Sequence, residues 1–279
     1  MDELISKIAQ RSAEAYPKKE ADYVQDGLLY CGKCHTPKQC RVEAFGRIMM
    51  PMCMCDCAKE DYNREREEER RRMREAEIHR LREVGFPDPQ MKGMRFENDD
   101  AGNERISLVA RRYAEHFREL QGKGLLLFGP PGTGKTFAAV CIANALIDQG
   151  FSCLVTTFSR IANTMNSLRE RMAYLDDLNH FDLLVLDDLG AERGTEYMQE
   201  IVQTVIDARC RAKKPMIVTT NLTAKQLKEP EDMTQARLYS RLFETCIPVK
   251  VDGADRRKGT LKQDYDALGD LLGLKGEEK

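Results

Sequence analysis

The segment GPPGTGKT contains the residues of this chain whose types and spacing indicate the most specific chemistry. It matches G-x-x-x-x-G-K-[ST] in full and lies between an apolar strand candidate and a helix candidate. Glycines in such a loop let successive backbone N–H groups turn inward and cradle phosphates at the positive end of the following helix. We expect Lys135 to neutralise the outer phosphates and the Thr136 hydroxyl to bind Mg²⁺. The predicted phosphate loop comprises Gly129, Pro130, Pro131, Gly132, Thr133, Gly134, Lys135, Thr136 and Phe137.

Two neighbouring acids end a second apolar run and supply the other half of this site. In LLVLDD, the run from Leu183 predicts a buried strand with Asp187 and Asp188 at its carboxyl end, where ligand sites form in parallel sheets. We expect Asp187 to hold Mg²⁺ through water and Asp188 to orient or deprotonate an attacking water. Asn221 follows the apolar run MIVTT, and its amide can bond the outer phosphate or that water. An ordinary Asn turn is the alternative.

Six of the ten cysteines lie between residues 31 and 57. Thiols so concentrated in a chain without a secretion signal indicate a metal rather than disulfides. The pairs Cys31-x-x-Cys34 and Cys53-x-Cys55 can offer four thiolates to a structural, tetrahedral zinc ion. The exact set stays open, because Cys57 can replace Cys53 or Cys55, and an iron–sulfur cluster is the competing chemistry. The remaining spare ligands are Cys40 and His35.

The elements that must position these groups alternate between strand and helix from about residue 100. The strand candidates GLLLFG, CLVTTF, LLVLDD and MIVTTN are continuous apolar runs, which are typical of a parallel sheet covered by helices on both faces. Before them, residues 59–83 carry many Glu/Arg pairs at i, i+4, which predict a solvated helix of about 37 Å. We therefore divide the chain into a zinc module (1–58), a charged helical linker (59–84), an α/β domain (85–264) and a polar tail (265–279).

Composition excludes some classes of partner. The chain has 44 Lys and Arg against 46 Asp and Glu, so no global field draws it to nucleic acid or a membrane. Any DNA contact must be a local patch, and Arg160, Arg169 and Arg171 are among the local groups that can meet phosphates. No apolar run reaches the length that a bilayer requires, and the N-terminus lacks a basic segment followed by an apolar one. We expect a cytoplasmic protein with no membrane partner.

The order GPPGTGKT, LLVLDD, TTN resembles the AAA+ ATPases. The segments DDLGAER, KPMIVTTNL and RLYSRLFETC make residues 95–260 similar to the DnaC and DnaI helicase loaders and their IstB-type relatives. The resemblance implies a three-layer P-loop sheet with a small helical or extended C-terminal lid, and it implies ATP and Mg²⁺ as ligands. It also implies a homo-oligomer that loads a hexameric, DnaB-type replicative helicase onto single-stranded DNA, with the N-terminal module binding the helicase.

Two arginines acquire roles from this resemblance alone. Arg241, in RLYSRLFETC, matches the residue that reaches the neighbouring subunit's ATP, and we place its segment on the lid beyond the sheet. Arg256, after a short strand, matches the sensor 2 arginine, although Arg257 beside it is an equal match. An exposed helix arginine is the alternative for both roles. Asp188 stands where Glu is commoner in the family, which implies slow hydrolysis.

Two other functions stay open. An IstB-like transposition ATPase would assemble on duplex DNA, and the N-terminal cysteine module favours the loader over it. A nucleotide-dependent adaptor would bind ATP with little hydrolysis, an alternative that Asp188 supports.

Overall fold

The computed structural model describes residues 14, 16–44, 46–99, 103–164, 168–190, 196–255 and 268. For residues 44, 47 and 168–172 the backbone alone is described. The chain forms two compact units, Met1–Glu75 and Ala76–Lys279. The division falls inside the predicted linker, and each unit is considered by itself below.

The N-terminal unit is built from two short antiparallel hairpins. The strands are β1 (Tyr23–Gln25), β2 (Leu28–Tyr30), β3 (Val42–Ala44) and β4 (Arg47–Met49). Asp26 and Gly27 join β1 to β2 with φ of 49° and 76°. Two consecutive residues with positive φ give the tight turn that Asp-Gly favours, because its twist matches that of the strands.

A buried ion pair connects the segments around the first hairpin. Lys38 Nζ lies 2.6 Å from Asp22 Oδ2 and donates to Pro17 O at 2.8 Å. Burial alone would raise the pKa of Asp22, but hydrogen bonds from Lys38 and from the N–H groups of Lys19 and Gly32 lower it to about 2. Every polar atom of such a pair needs a partner, because an uncompensated buried charge is strongly destabilising.

The charged segment forms one long helix, α1 (Asp56–Gly85). Its last turns pack into the second unit's core through Ile78, Leu81 and the following Phe86, so they are not solvated as predicted. A Cβ at Gly85 would lie 2.4 Å from Cys153 O, so only glycine permits this approach. The apolar side chains begin only in the second half of the segment, which explains why the solvated-helix prediction fails there.

The second unit contains a five-stranded parallel sheet with strand order β6-β7-β8-β5-β9. The strands are β5 (Gly124–Phe128), β6 (Cys153–Thr157), β7 (Leu183–Leu189), β8 (Met216–Thr220) and β9 (Cys246–Lys250). The helices are α2 (Glu104–Glu115), α3 (Lys135–Asp148), α4 (Phe158–Thr164), α5 (Leu168–His180), α6 (Glu196–Arg211), α7 (Ala224–Lys228) and α8 (Met233–Thr245).

Alternate strand residues enter two separate apolar cores, which makes the unit three-layered. Leu125 and Leu127 pack with α2 and α3 on one face, whereas Leu126 packs with α4, α6 and α8 on the other. The prediction of a parallel α/β sheet covered on both faces is confirmed. Among the described helices, none combines the length and the apolarity that crossing a bilayer requires.

The pairing of β9 shows where the preceding helix α8, which was predicted to belong to a lid, lies in the fold. β9 pairs with β5 in parallel, so α8 returns the chain to the sheet. Arg241 lies on α8, and its predicted place on a lid beyond the sheet is wrong. β9 is an edge strand with Pro248 and exposed Ile247, a composition that only an edge tolerates.

A buried arginine holds the amino ends of two strands together. Arg209 is fully buried and donates to the carbonyl oxygens of Leu178, Asp182 and Pro215 at 2.8 to 3.2 Å. Desolvation lowers its pKa to about 10. These carbonyls end α5 and precede β7 and β8, so one side chain satisfies backbone acceptors from three segments.

Candidate functional site

The phosphate loop lies between β5 and α3, as predicted. Its glycines have φ angles that other residues rarely adopt: 146° at Gly129, 76° at Gly132 and 91° at Gly134. A Cβ at Gly129 would also lie 2.2 Å from Val251 O. Glycine is therefore required both for the backbone angles and for the close packing of the loop.

Lys135 folds back over the start of the loop. Its Nζ donates to Gly129 O at 2.9 Å and to Pro130 O at 2.6 Å, and the residue is buried. Thr133 Oγ1 donates to the same Pro130 carbonyl at 2.9 Å. The contacts hold an ammonium charge inside the loop at the amino end of α3, where the helix dipole adds positive potential.

Thr136 and Asp187 meet although 51 residues separate them. Thr136 Oγ1 donates to Asp187 Oδ1 at 2.9 Å, and Thr219 Oγ1 donates to the same oxygen at 2.6 Å. Burial raises the pKa of Asp187, and the two hydroxyl hydrogen bonds partly oppose that shift. A hydroxyl and a carboxylate are hard oxygen ligands of the kind Mg²⁺ prefers, so this pair fits the ion.

The two adjacent acids lie in a β-bulge of β7. β7 and β8 pair Leu186 with Val218 and then Leu189 with Thr220, which leaves one extra residue on β7. Asp188 takes this position with φ of 59°, and its N–H donates to Thr219 Oγ1 at 2.9 Å. Bulges re-aim a side chain, and the left-handed region is more accessible to Asp than to most residues. Asp187 is consequently buried while Asp188 is exposed.

Thr219 is the functional residue that the sequence analysis missed. Its Oγ1 accepts from the backbone N–H of Asp188 and donates to the carboxylate of Asp187, so one hydroxyl contacts both residues. Thr220 acts similarly on the backbone, because it donates to Leu189 O at 2.7 Å and accepts from Leu222 N at 3.2 Å. The sequence feature that could have identified them is the pair of threonines at the end of the apolar strand MIVTT, which was predicted to lie in the same sheet as the strand that ends in the two acids.

Asn221 follows β8 directly and is exposed. Because β8 lies between β5 and β7, Asn221 shares the carboxyl edge of the sheet with the phosphate loop and the acids. That position is compatible with its predicted contact to the outer phosphate or the attacking water, which stays a prediction.

The structure describes the side chains of two of the predicted arginines, Arg241 and Arg160. Arg241 is exposed and pairs with Asp207 at 3.5 Å and Glu244 at 3.0 Å. Arg256 lies outside the described residues, as do the side chains of Arg169 and Arg171. Arg160 is exposed near the start of α4.

In the N-terminal unit, the sulfur atoms of Cys31, Cys34, Cys55 and Cys57 all lie within 4.8 Å of one another. Cys57 Sγ is 3.6 Å from Cys31 Sγ and 3.4 Å from Cys55 Sγ. The predicted ligand Cys53 lies outside this group, and Cys57, the predicted substitute, takes its place. Cys53 N–H donates to Lys38 O at 2.7 Å, which holds Cys53 in an extended segment, whereas α1 begins at residue 56 and turns Cys57 back.

The thiol cluster fits a tetrahedral metal. Zinc–sulfur bonds of about 2.3 Å place neighbouring sulfurs about 3.8 Å apart, close to the observed separations. Backbone N–H groups of Cys34 and Lys33 lower the pKa of Cys31, and the Thr36 hydroxyl lowers the pKa of Cys34 to about 5. Both shifts favour the thiolate, which is the form that binds metal.

Burial raises the pKa of Cys55, and hydrogen bonds with Cys55 and Cys34 raise the pKa of Cys57 to about 12. A bound cation would favour the thiolate at these two positions as well.

A known protein family matches the part of the chain that contains the phosphate loop. A family model described as IstB-like ATP binding protein matches residues 59–264, about three quarters of the chain. The chain belongs to this family. The family is described as ATP-binding, which agrees with the ligand predicted for Lys135, Thr136 and Asp187.

Named relatives resemble part of this IstB-like chain. The replicative helicase loader DnaI of Bacillus subtilis is 31% identical over 150 residues, which cover 49% of the chain and 48% of DnaI. The replicative helicase loader DnaC of Escherichia coli K12 is 32% identical over 162 residues, covering 55% of the chain and 64% of DnaC. The chain thus spans about half to two thirds of these relatives.

Solved structures establish the fold. A crystal structure of the DnaC helicase loader matches with a TM-score of 0.52 and 23% identity, covering 59% of the chain and 100% of that structure. A DnaI crystal structure matches with a TM-score of 0.51 and 24% identity, covering 62% and 95%. The second unit has the predicted AAA+ fold.

Proposed function

We propose that this IstB-like protein hydrolyses ATP and loads a hexameric replicative helicase onto single-stranded DNA in the cytoplasm. Its 31% and 32% identity to two proteins named replicative helicase loaders supports this function. The observation that carries the proposal is the joined site of phosphate loop, Thr136 and Asp187, which supplies the parts that ATP chemistry needs.

The side chains divide the work of hydrolysis. Lys135 and the loop N–H groups bind and orient the phosphates, and Asp188 orients the attacking water from its exposed position on the bulge. Asn221 contributes from the same carboxyl edge of the sheet. Thr136 and Asp187 would hold Mg²⁺, which supplies charge neutralisation at the phosphates when bound. Because Asp is one methylene shorter than Glu, we expect slow turnover.

Assembly would complete the site. Arg241 is exposed on α8 and is held by Asp207 and Glu244. We propose that in a homo-oligomer it exchanges these acids for the outer phosphate of a neighbouring subunit's ATP. An arginine supplied in trans stabilises the charge of the transition state. Single-stranded DNA would be bound by the assembly, with Arg160 among the contacts.

The thiol cluster would hold one structural zinc ion. Cys31, Cys34, Cys55 and Cys57 are the proposed ligands, and the metal would stabilise a module whose hairpins are too small to build a core. We propose that this module binds the helicase.

A loading assay with the helicase of the same cell tests the function. Lys135→Ala should lower ATP affinity by more than tenfold and abolish transfer of the helicase to single-stranded DNA, because the loop loses its point charge. Lys225→Ala is the control, since that side chain is 81% exposed. Normal ATP binding by Lys135→Ala, or no transfer by the wild-type chain, would contradict the proposal.

Asp188→Asn separates binding from hydrolysis. The variant keeps the side-chain shape but loses the charge, so ATP should bind normally while phosphate release falls. Undiminished turnover would assign the water to another residue.

Native mass spectrometry tests the metal site with a matched pair of variants. Cys57→Ser should lose the zinc, whereas Cys53→Ser should keep one zinc per chain. Iron in the wild-type chain, or equal loss in both variants, would exclude the proposed ligand set.

A further inference from the structure

The segment after β9 lies directly along the phosphate loop. Val251 N–H donates to Phe128 O at 2.8 Å, and Val251 is fully buried. Val251 O approaches Gly129 so closely that a Cβ there would lie 2.2 Å from it. The chain beyond β9 is therefore fixed to the residues that begin the loop.

This segment then turns back over the loop. Gly253 has φ of 149°, a value that favours glycine, and Asn103 Nδ2 donates to the carbonyl of Asp252. Asn103 is also the N-cap of α2, since its Oδ1 accepts from Ile106 N at 3.3 Å. The N-cap residue of α2 thus holds the backbone at residue 252 and fixes the point from which residues 253–255 continue.

The turn brings a carboxylate against the anion-binding loop. A Cβ at Gly132 would lie 1.8 Å from Asp255 Oδ1 and 2.4 Å from Asp255 Cγ, so the carboxylate occupies the space beside this glycine. The loop turns its N–H groups toward anions, and the amino end of α3 adds positive potential. An aspartate of the same chain is therefore an anion that this loop attracts.

We propose that Asp255 competes with the phosphates of the nucleotide for the loop and thereby sets its affinity. The proposal rests on the ATP site described above. A phosphate chain entering beside Gly132 meets a fixed negative charge and must displace it or bind next to it. Either way, binding is weaker than at the same loop without the carboxylate, and the difference is electrostatic.

Nucleotide titration of the full chain with the isosteric variant Asp255→Asn tests this. Affinity for ATP and for pyrophosphate should rise at least about tenfold, which is the lower part of the range expected for one charge–charge interaction over about 4 Å between bulk water and a protein surface. Pyrophosphate tests the loop without base or ribose. The gain should shrink as ionic strength rises, because salt screens the removed repulsion.

Asp252→Asn is the matched control. Asp252 is three residues away, 61% exposed and paired with Lys250 at 3.0 Å, so its removal changes the same net charge without touching the loop. Asp255→Ala should behave as Asp255→Asn does, which excludes a new contact by the amide.

Equal affinities for Asp255→Asn and Asp252→Asn would overturn the proposal. Weaker ATP binding by Asp255→Asn would overturn it too, since the carboxylate would then assist the nucleotide. A wrong assignment of the ATP site would give a different result, because Lys135→Ala would then bind ATP with the same affinity as the wild-type chain.

Discussion

Thr219 is the side chain on which the arrangement of the two acids most depends. It is fully buried, donates to Asp187 Oδ1 at 2.6 Å and accepts from Asp188 N at 2.9 Å. Thr219→Val keeps the shape and removes both bonds. A hydrogen bond to a charged group contributes about 1.5 to 3 kcal/mol, and an N–H left without its partner costs about 1 kcal/mol or more. We expect a loss of about 3 kcal/mol.

Thr156→Val is a control on β6, which lies on the other side of β7 from Thr219. Thr156 pairs with Leu186 in the sheet and is 4% exposed, yet its hydroxyl has no hydrogen-bond partner among the described residues. Removing a buried hydroxyl without a partner should leave stability unchanged or raise it slightly. The two variants make the same chemical change at similar burial, so their difference isolates the hydrogen bonds of Thr219.

Thermal unfolding followed by circular dichroism measures the difference. For a domain of about 200 residues, 1 kcal/mol shifts Tm by about 2 to 4 °C, so Thr219→Val should lower it by at least about 6 °C. ATP raises the transition of the unit that binds it, which identifies the relevant transition in a two-unit chain. Equal changes in Tm for the two variants would refute the assignment of Thr219 as the residue that holds the acids.

Three further predictions follow from the same structure. Burial raises the pKa of Asp187, so the ionised carboxylate lowers the stability of the fold above that pKa, and this loss disappears as the pH falls through the pKa. Without Mg²⁺, Asp187→Asn should therefore have a higher Tm than the wild-type chain at pH 8, and the difference in Tm should shrink on acidification. A difference in Tm that does not change with pH would contradict this prediction. Arg209→Met should lower the free energy of unfolding in urea by about 3 kcal/mol or more, since buried carbonyls lose their donor, whereas exposed Arg211→Met should change it little; similar losses would remove the role assigned to Arg209. Arg241→Ala should bind ATP and hydrolyse it poorly, and mixing it with Lys135→Ala should restore some hydrolysis if the site is shared; activity equal to the sum of the separate variants, with co-assembly shown by light scattering, would exclude a finger in trans.

The sequence predicted the phosphate loop and the meeting of Thr136 with Asp187 because both depend on strongly specified patterns. A glycine-rich loop between strand and helix permits one conformation, and two parallel apolar strands must end at the same edge of the sheet. The edge strand β9 was harder, since Ile247 and Pro248 carry no continuous apolar signal. Its pairing with β5 joins residues 122 positions apart along the chain, a relation that no local pattern contains.

The position of Cys53 outside the thiol cluster and the missed contacts of Thr219 have a common physical cause. Cys57 joins the thiol cluster because an extended segment changes into α1 at residue 56. Thr219 reaches both acids because β7 inserts one extra residue at Asp188. Spacing arguments assume that one backbone period continues through a motif, and both positions lie where the period changes. Side chains at such changes are re-aimed by hydrogen bonds from segments distant in sequence, here Lys38 O for Cys53 and the Thr219 hydroxyl for Asp188. The sequence can therefore supply the set of chemically competent residues, while partners from other segments select the members that act together.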